Sequence, residues 1–338
     1  MVKDILVHKD TLSCEAIMRV AQNGEYIVVC QCGGNCEPSP ENRVYLFRSK
    51  DGGESWDEGT DIYPSEKAIY QTEVSVYQDK IDIFITAHNG GFMEWENFIL
   101  RSTDSGYTFK RVELPCDFGF VFIRGRIVTE SGRIIYPYHN YNIPEDICQR
   151  LIEEKQPIWQ CGLDYVDVGV MVSDDNGTTF QRIDVAKIKP ESNWLNNWEW
   201  SEPTVVESER RHLIMLLRRD KKNFLYRCDS YDDGNTWSNI EMTDIPNPSN
   251  KSKLIKNNID GSIVLLHTPN PESNTGARSP LEVWVSFDGL KTWQKKITIS
   301  TVAGQHAYPD GVISEDGKKV RFAYEFNRKD IHFVECDL

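Results

Sequence analysis

A short pattern, Ser-x-Asp-x-Gly-x-x-Trp/Phe, recurs along this chain and limits what it can fold into. It stands at Ser49-x-Asp51-x-Gly53-x-x-Trp56, Ser102-x-Asp104-x-Gly106-x-x-Phe109, Ser173-x-Asp175-x-Gly177-x-x-Phe180 and Ser230-x-Asp232-x-Gly234-x-x-Trp237. A fifth copy, Ser286-x-Asp288-x-Leu290-x-x-Trp293, carries leucine where the others carry glycine. Successive copies lie 53, 71, 57 and 56 residues apart. Ser and Asp side chains bond the backbone N–H groups of a tight turn, Gly supplies a left-handed residue, and the aromatic packs beneath. Each copy follows an apolar or alternating run, such as 44–47 or 281–285, and a second hairpin lies upstream, as where 204–206 turns through 207–211 into 213–217. Four strands per unit of about 55 residues is the arithmetic of a propeller blade.

A chain of 338 residues holds six such units. The sixth, 305–338, reads as three strands near 311–313, 320–324 and 331–336, so residues 4–8 are expected to supply the fourth. The expected fold is all-β: one six-bladed β-propeller over 1–338, built from four-stranded antiparallel blades. The long third spacing is expected to hold an insertion at 140–164 that forms a short helix or a lid.

The net charge of −14 leaves no basic footprint for nucleic acid and disfavours an anionic membrane surface. The expected partner is a neutral molecule, or an anion met by a few placed arginines. Charges at Lys3, Asp4, Lys9 and Asp10 break any leader-like run, and no apolar stretch approaches a membrane span. The 9 cysteines are expected as free thiols of a reducing, cytoplasmic setting. Cys30-x-Cys32-x-x-x-Cys36, with Cys14 across a hairpin, fits no common zinc spacing, so neither metal nor cofactor is expected. Nothing here sets the oligomeric state.

Hairpin arithmetic gathers the polar residues. Glu202 and Arg218 flank a turn near Arg210 and so share the end of a hairpin remote from that turn. Glu15 meets the 30–32 region across Asn23-Gly24, Arg124 meets Tyr138 and His139 across Ser131-Gly132, and Tyr308 meets Tyr324 across Asp316-Gly317. If these are innermost hairpins, their side chains ring one mouth of the central channel. Trp194, Trp198 and Trp200 precede Glu202 and offer faces to a sugar.

The five turns are similar to the Asp-boxes of the sialidase (exo-neuraminidase) family, and the resemblance runs along almost the whole chain. Ser131-Gly-Arg-Ile-Ile-Tyr-Pro-Tyr138, Glu202-Pro-Thr-Val-Val-Glu207 with Arg218, Arg278-Ser-Pro-Leu-Glu-Val-Trp-Val-Ser286, and Ala307-Tyr308 with Tyr324-Glu325 resemble further family segments. The resemblance implies that Tyr308 is a nucleophile with Glu202 as its base, and that Arg218 and Arg278 grip a substrate carboxylate. Sialidases use tyrosine where most glycosidases use a second carboxylate. Guanidinium suits a planar carboxylate.

Two positions depart from the pattern. Where the family has its first arginine, this chain reads Leu12-Ser-Cys14-Glu15-Ala16, and a glutamate there is expected to repel a carboxylate. The loop before Arg48, where the family keeps its proton-donating aspartate, offers only Glu37 and Glu41. Arg124 or Arg126 is the expected third cation. The implied activity is exo-acting hydrolysis of a terminal acidic or modified sugar from a glycan or small sugar substrate. The alternatives are a propeller glycosidase or lyase acting through Glu15, Glu73 and Glu202 on an arabinoside, rhamnoside or uronate, and a glycan-binding propeller without turnover.

Overall fold

A computed structural model describes residues 1–114, 119–190, 197–272 and 278–338. Its strands form six antiparallel sheets, the first five running outward from the axis in chain order and the sixth closed by the first strand of the chain. Blade 1 comprises Ser13–Val20, Tyr26–Cys32, Arg43–Ser49 and Thr60–Asp61. Blade 2 comprises Ala68–Tyr77, Lys80–His88, Glu96–Ser102 and Lys110–Val112. In blade 3 the innermost place is shared by Val121–Ile123 and Ile127–Val128, both on Ile134–Tyr141, followed by Val166–Ser173 and Gln181–Ile188. Blade 4 runs from Pro203–Glu209 through His212–Leu217 and Phe224–Ser230 to Glu241–Pro246. Blade 5 runs from Lys253–Lys256 through Ile263–His267 and Leu281–Ser286 to Lys295–Ser300. Blade 6 takes His306–Ile313, Lys319–Phe326 and Asp330–Asp337, and its outermost strand is Val2–Lys9, paired antiparallel to the last strand.

The innermost strands touch in cyclic order, which makes the ring a six-bladed β-propeller. Apolar faces of neighbouring sheets form the core. Ile17, Val29 and Leu46 of blade 1 meet Ile69, Val74 and Ile83 of blade 2, and Val264 and Val283 of blade 5 meet Phe322 and Val334 of blade 6. Strands buried on both faces therefore read as continuous apolar runs, as in Leu213-Ile-Met-Leu-Leu217.

The recurring turns close as their chemistry dictates. Ser49 Oγ donates to Asp51 Oδ1 at 2.8 Å and accepts the Gly53 N–H at 2.8 Å, while Asp51 Oδ1 accepts from the N–H groups of Glu54 and Ser55. The fifth turn keeps this pattern, with the Leu290 N–H on Ser286 Oγ at 2.9 Å. Leu290 holds the left-handed φ of 66° and buries its side chain against blades 4 and 5, so packing offsets the strain. The aromatics seal blade against blade: Trp56 of blade 1 lies 5.4 Å from Phe333 of blade 6.

The insertion in blade 3 forms the helix Glu145–Glu153 and a 3-10 turn, Ile158–Cys161. Leu151 and Ile158 sink among Phe92, Met93, Tyr141 and Trp198, and the Ile158 N–H donates to the Gly91 carbonyl at 2.9 Å. The insertion thus fastens a blade 2 loop against blades 3 and 4 beside the channel.

Candidate functional site at the channel mouth

Every innermost strand begins at the same end of the channel, so residues at their starts face one another. Three of these strands carry a bulge near that end: the pairing register shifts between Cys14 and Ile17, between Gln71 and Glu73, and between Ala307 and Asp310. A bulge re-aims a side chain that strict alternation would send elsewhere. Glu15 and Tyr308 sit in two of them with left-handed φ values of 56° and 52°, a strained conformation for such residues.

Around these bulges lies a nearly dry network. Glu202, just before the first residue of its strand, accepts from Arg218 Nη1 at 2.8 Å on Oε2 and meets Arg124 Nη2 at 3.1 Å on Oε1. Arg218 also bonds Asp220 Oδ1 through Nε at 2.7 Å and the Tyr308 hydroxyl through Nη1 at 3.3 Å. Arg124 reaches the Tyr70 hydroxyl at 3.0 Å and Glu15 Oε2 at 3.3 Å. Lys251 Nζ donates to the same Glu15 oxygen at 2.6 Å and lies 4.9 Å from the centre of the Tyr308 ring.

Arg278 stands apart. Its guanidinium carbon is 5.2 Å from the centre of the Tyr308 ring, and Nη2 donates to the Ser249 carbonyl at 2.7 Å. The side chain is buried, its Nε has no hydrogen-bond partner, and among the described residues no carboxylate pairs with it. On the far side, Arg328 projects from the hairpin turn that follows Glu325; it pairs with Glu37 and lies 3.8 Å from Glu325 Oε1. Glu325 Oε2 accepts the Glu15 N–H at 2.7 Å.

Aromatic rings form the wall on blades 2 to 4. Phe122 stacks on His139 at 4.9 Å between centroids, and Trp200 meets both edge-on. Phe92 and Tyr70 join from blade 2. His139 is fully buried with neither ring nitrogen bonded.

The surroundings set the charges. Burial pushes the Glu202 carboxyl up, but Arg124 and Arg218 outweigh it and hold it below the usual carboxylate range. Glu15 behaves alike under Lys251 and Arg124. Burial raises Glu37, only partly offset by Arg328, and it raises Glu325 to about 7. Burial also raises the Tyr308 phenol, against the pull of Arg278 and Arg218. Burial, with Arg124 and Arg218 beside it, keeps His139 neutral.

Glu15, Arg124, Glu202, Arg218, Arg278 and Tyr308 therefore converge, with Glu37 at the margin. Other expected residues lie apart. Glu41 is exposed and accepts from Ser39 Oγ. Glu73 follows the blade 2 bulge and pairs with Arg19 at 3.0 Å deeper in the channel, while Gln71 takes the place at the mouth and donates to the Glu15 carbonyl at 2.7 Å. Arg126 lies over Tyr77 and lines the opposite end of the channel, a cavity of about 1220 Å³. The repulsion expected of Glu15 is cancelled by Lys251 and Arg124. Trp198 is buried packing, and Trp194 lies outside the described residues. Sequence reasoning missed Lys251 and Arg328, which sit in a polar loop and a tight turn where no pattern announces direction.

Comparison with known proteins agrees with this architecture. The model of the BNR repeat-like domain family matches residues 26–320. No curated protein matches the chain in sequence. A Dyadobacter fermentans protein described as of unknown function superposes with a TM-score of 0.72 at 15% identity, over 100% of this chain and 99% of its own. A Hadza microbial sialidase gives 0.71 at 15% identity, over 97% of this chain and 66% of its own. Trypanosoma rangeli sialidase in complex with 2,3-difluorosialic acid gives 0.69 at 16%, over 98% and 59%. The chain thus spans about three-fifths to two-thirds of the sialidases it resembles. With the repeat turns, the closed ring of blades and a family match over most of its length, the chain belongs to the BNR repeat-like domain family and is a sialidase-like propeller.

Proposed function

We propose that the protein is an exo-acting glycosidase that removes a terminal sugar bearing a carboxylate. The observation that carries this reading is Arg278, a buried guanidinium that no carboxylate of the described residues neutralises, set against the Tyr308 ring. Burying an unpaired charge is unfavourable, and a substrate anion supplies the missing partner. Arg218 and Arg328 flank the same phenol and add further cations. Tyr308 attacks the anomeric carbon. Arg218 ties its hydroxyl to Glu202, the base that takes the phenolic proton. Glu37, raised by burial and paired with Arg328, is the better placed proton donor than exposed Glu41. The reaction has no need of a metal or cofactor, and a cytoplasmic setting suits the free thiols.

The test is a panel of aryl glycosides of sialic, uronic and neutral sugars. An acidic member is expected to be cleaved by wild type and not by Tyr308→Phe. Cleavage of a neutral glycoside that survives Tyr308→Phe would replace this mechanism with a carboxylate-only one. One observation favours a second reading, glycan binding without turnover: both oxygens of Glu202 face arginines, which hold the carboxyl low and make it a weak base. Calorimetric binding of an acidic sugar with no release from any panel member would establish it.

A further inference from the structure

Cys30 and Cys32 are separated by one residue on the second strand of blade 1, so their side chains leave the same face. Both residues are buried, their sulfurs lie in contact at 3.5 Å, and Cys32 Sγ also meets Ser13 Oγ at 3.8 Å. His8, on the outermost strand of blade 6, lies beside Cys32 and packs a tilted ring against Phe47 at 4.6 Å between centroids. Strand Tyr26–Cys32 ends where the loop carrying Glu37 begins.

We propose that Cys30 and Cys32 form a peroxide-sensitive thiol pair that closes reversibly to a disulfide at the foot of the Glu37 loop. The pair is independent of what the channel mouth binds. Cys30 and His8 draw the Cys32 thiol down to about 6, which leaves it largely a thiolate at neutral pH. That thiolate attacks a peroxide: an S–O bond forms, the O–O bond breaks, and the departing hydroxide takes up the proton that Cys32 had released. The Cys30 sulfur then attacks the sulfenic sulfur of Cys32. The S–S bond forms, and the Cys30 proton leaves with the hydroxyl as water. Two thiols are oxidised and one peroxide is reduced to two waters. Two residues of extended strand separate the Cα atoms by about 6.6 Å, at the upper edge of what a disulfide spans. A bond made there is readily reopened by a thiol reductant.

The experiment uses the full chain carrying Cys36→Ser, which removes the one exposed cysteine among the described residues. Treated with hydrogen peroxide, it is expected to lose about 2 Da and two titratable thiols, both recovered with dithiothreitol. Alkylation of the remaining thiols followed by peptide mapping should place the loss between Cys30 and Cys32. In Cys30→Ser, dimedone should trap a sulfenic acid at Cys32, and His8→Gln should slow oxidation by roughly tenfold. Mapping on the Cys36→Ser chain needs no further variant, so a poorly folded Cys30→Ser leaves the reading intact. Unmodified Cys30 and Cys32 after peroxide, or an equal loss of two thiols in Cys32→Ser, overturns the proposal.

Discussion

The Arg278 guanidinium and the Tyr308 ring face each other at 5.2 Å, yet Arg278 meets no carboxylate among the described residues, whereas Arg218 on the other side of the phenol meets two. The two arginines should therefore separate stability from activity. Arg278→Ala removes an unneutralised buried charge and is expected to leave Tm equal to wild type or higher. It should lower kcat/KM for an acidic glycoside by about 30-fold or more. Arg218→Ala strands Asp220, leaves Glu202 with Arg124 alone, and is expected to destabilise by about 3–5 kcal/mol. Thermal melts of both variants beside steady-state kinetics check the contrast; a large loss of Tm in Arg278→Ala counts against it.

Glu325 gives the stability a slope at neutral pH. Its folded value, about 7, lies above the unfolded carboxyl, so the folded state holds the proton over a window where the unfolded chain has released it. The stabilisation is full below the unfolded value and is lost as pH rises through about 7. Glu325→Gln keeps an acceptor for the Glu15 N–H and should flatten this slope, gaining up to about 3 kcal/mol over wild type at pH 8 relative to pH 5. Urea unfolding of both proteins across that range is the check.

Buried histidines work in the opposite direction. His88 and His267 are held neutral by burial, each lowered to about 3, and His139 is lowered as well. Below the unfolded histidine value the unfolded chain takes up protons that the folded one refuses, so stability falls as pH drops from about 6.5 toward 3. Each group steepens that fall by up to about 1.4 kcal/mol per pH unit. His267 has neither ring nitrogen bonded and packs edge-on against Trp284 at 4.4 Å. His267→Phe should keep the ring contact and visibly reduce acid lability in melts at pH 4.5. An unchanged acid limb would show that these rings do not govern it.

The first repeat turn contains a paired test of backbone against space. Gly52 and Gly53 both have left-handed φ, 73° and 82°. A Cβ on Gly52 meets nothing, whereas one on Gly53 runs into the Phe333 ring of blade 6. Gly52→Ala is expected to cost about 1 kcal/mol, for conformation alone. Gly53→Ala should cost about 2–4 kcal/mol, because it also forces the blade 1 to blade 6 contact apart. Chemical denaturation that ranks the two equally would refute this account.

The ring of blades was legible because its signal is repeated and local: a Ser and an Asp that close the same turn five times, four of them with a glycine, leave little freedom in what joins them. The partnership of Glu202 with Arg218 was legible too, since a hairpin with its turn near Arg210 has only one end at which they can meet, and the Arg218 N–H does bond the Glu202 carbonyl at 3.1 Å. Direction was harder. Residues 71 and 73 share a face under strict alternation, and only the bulge between them sets Gln71 on the Glu15 carbonyl at the mouth and Glu73 on Arg19 below it. Lys251 precedes its strand, and Arg328 occupies a turn with a left-handed φ of 57°; a sequence without periodicity carries no information on where such side chains aim. Glu37 and Glu41 were equivalent on paper, and only folding of their loop set one beside Arg328 and the other toward water.

Below the mouth, Arg19 joins Glu73 at 3.0 Å and Asp310 at 2.6 Å, and Lys253 reaches Asp310 at 2.9 Å. These pairs link blades 1, 2, 5 and 6 at the axis, while strand Val2–Lys9 links the two ends of the chain at the circumference. The molecule is a wheel fastened at hub and rim. Such a wheel does not flex blade by blade to admit a larger guest, so residues borne on its spokes keep their mutual distances. Diversification of what the wheel accepts then falls to the loops that overhang its face, where length and chemistry change without loosening either fastening.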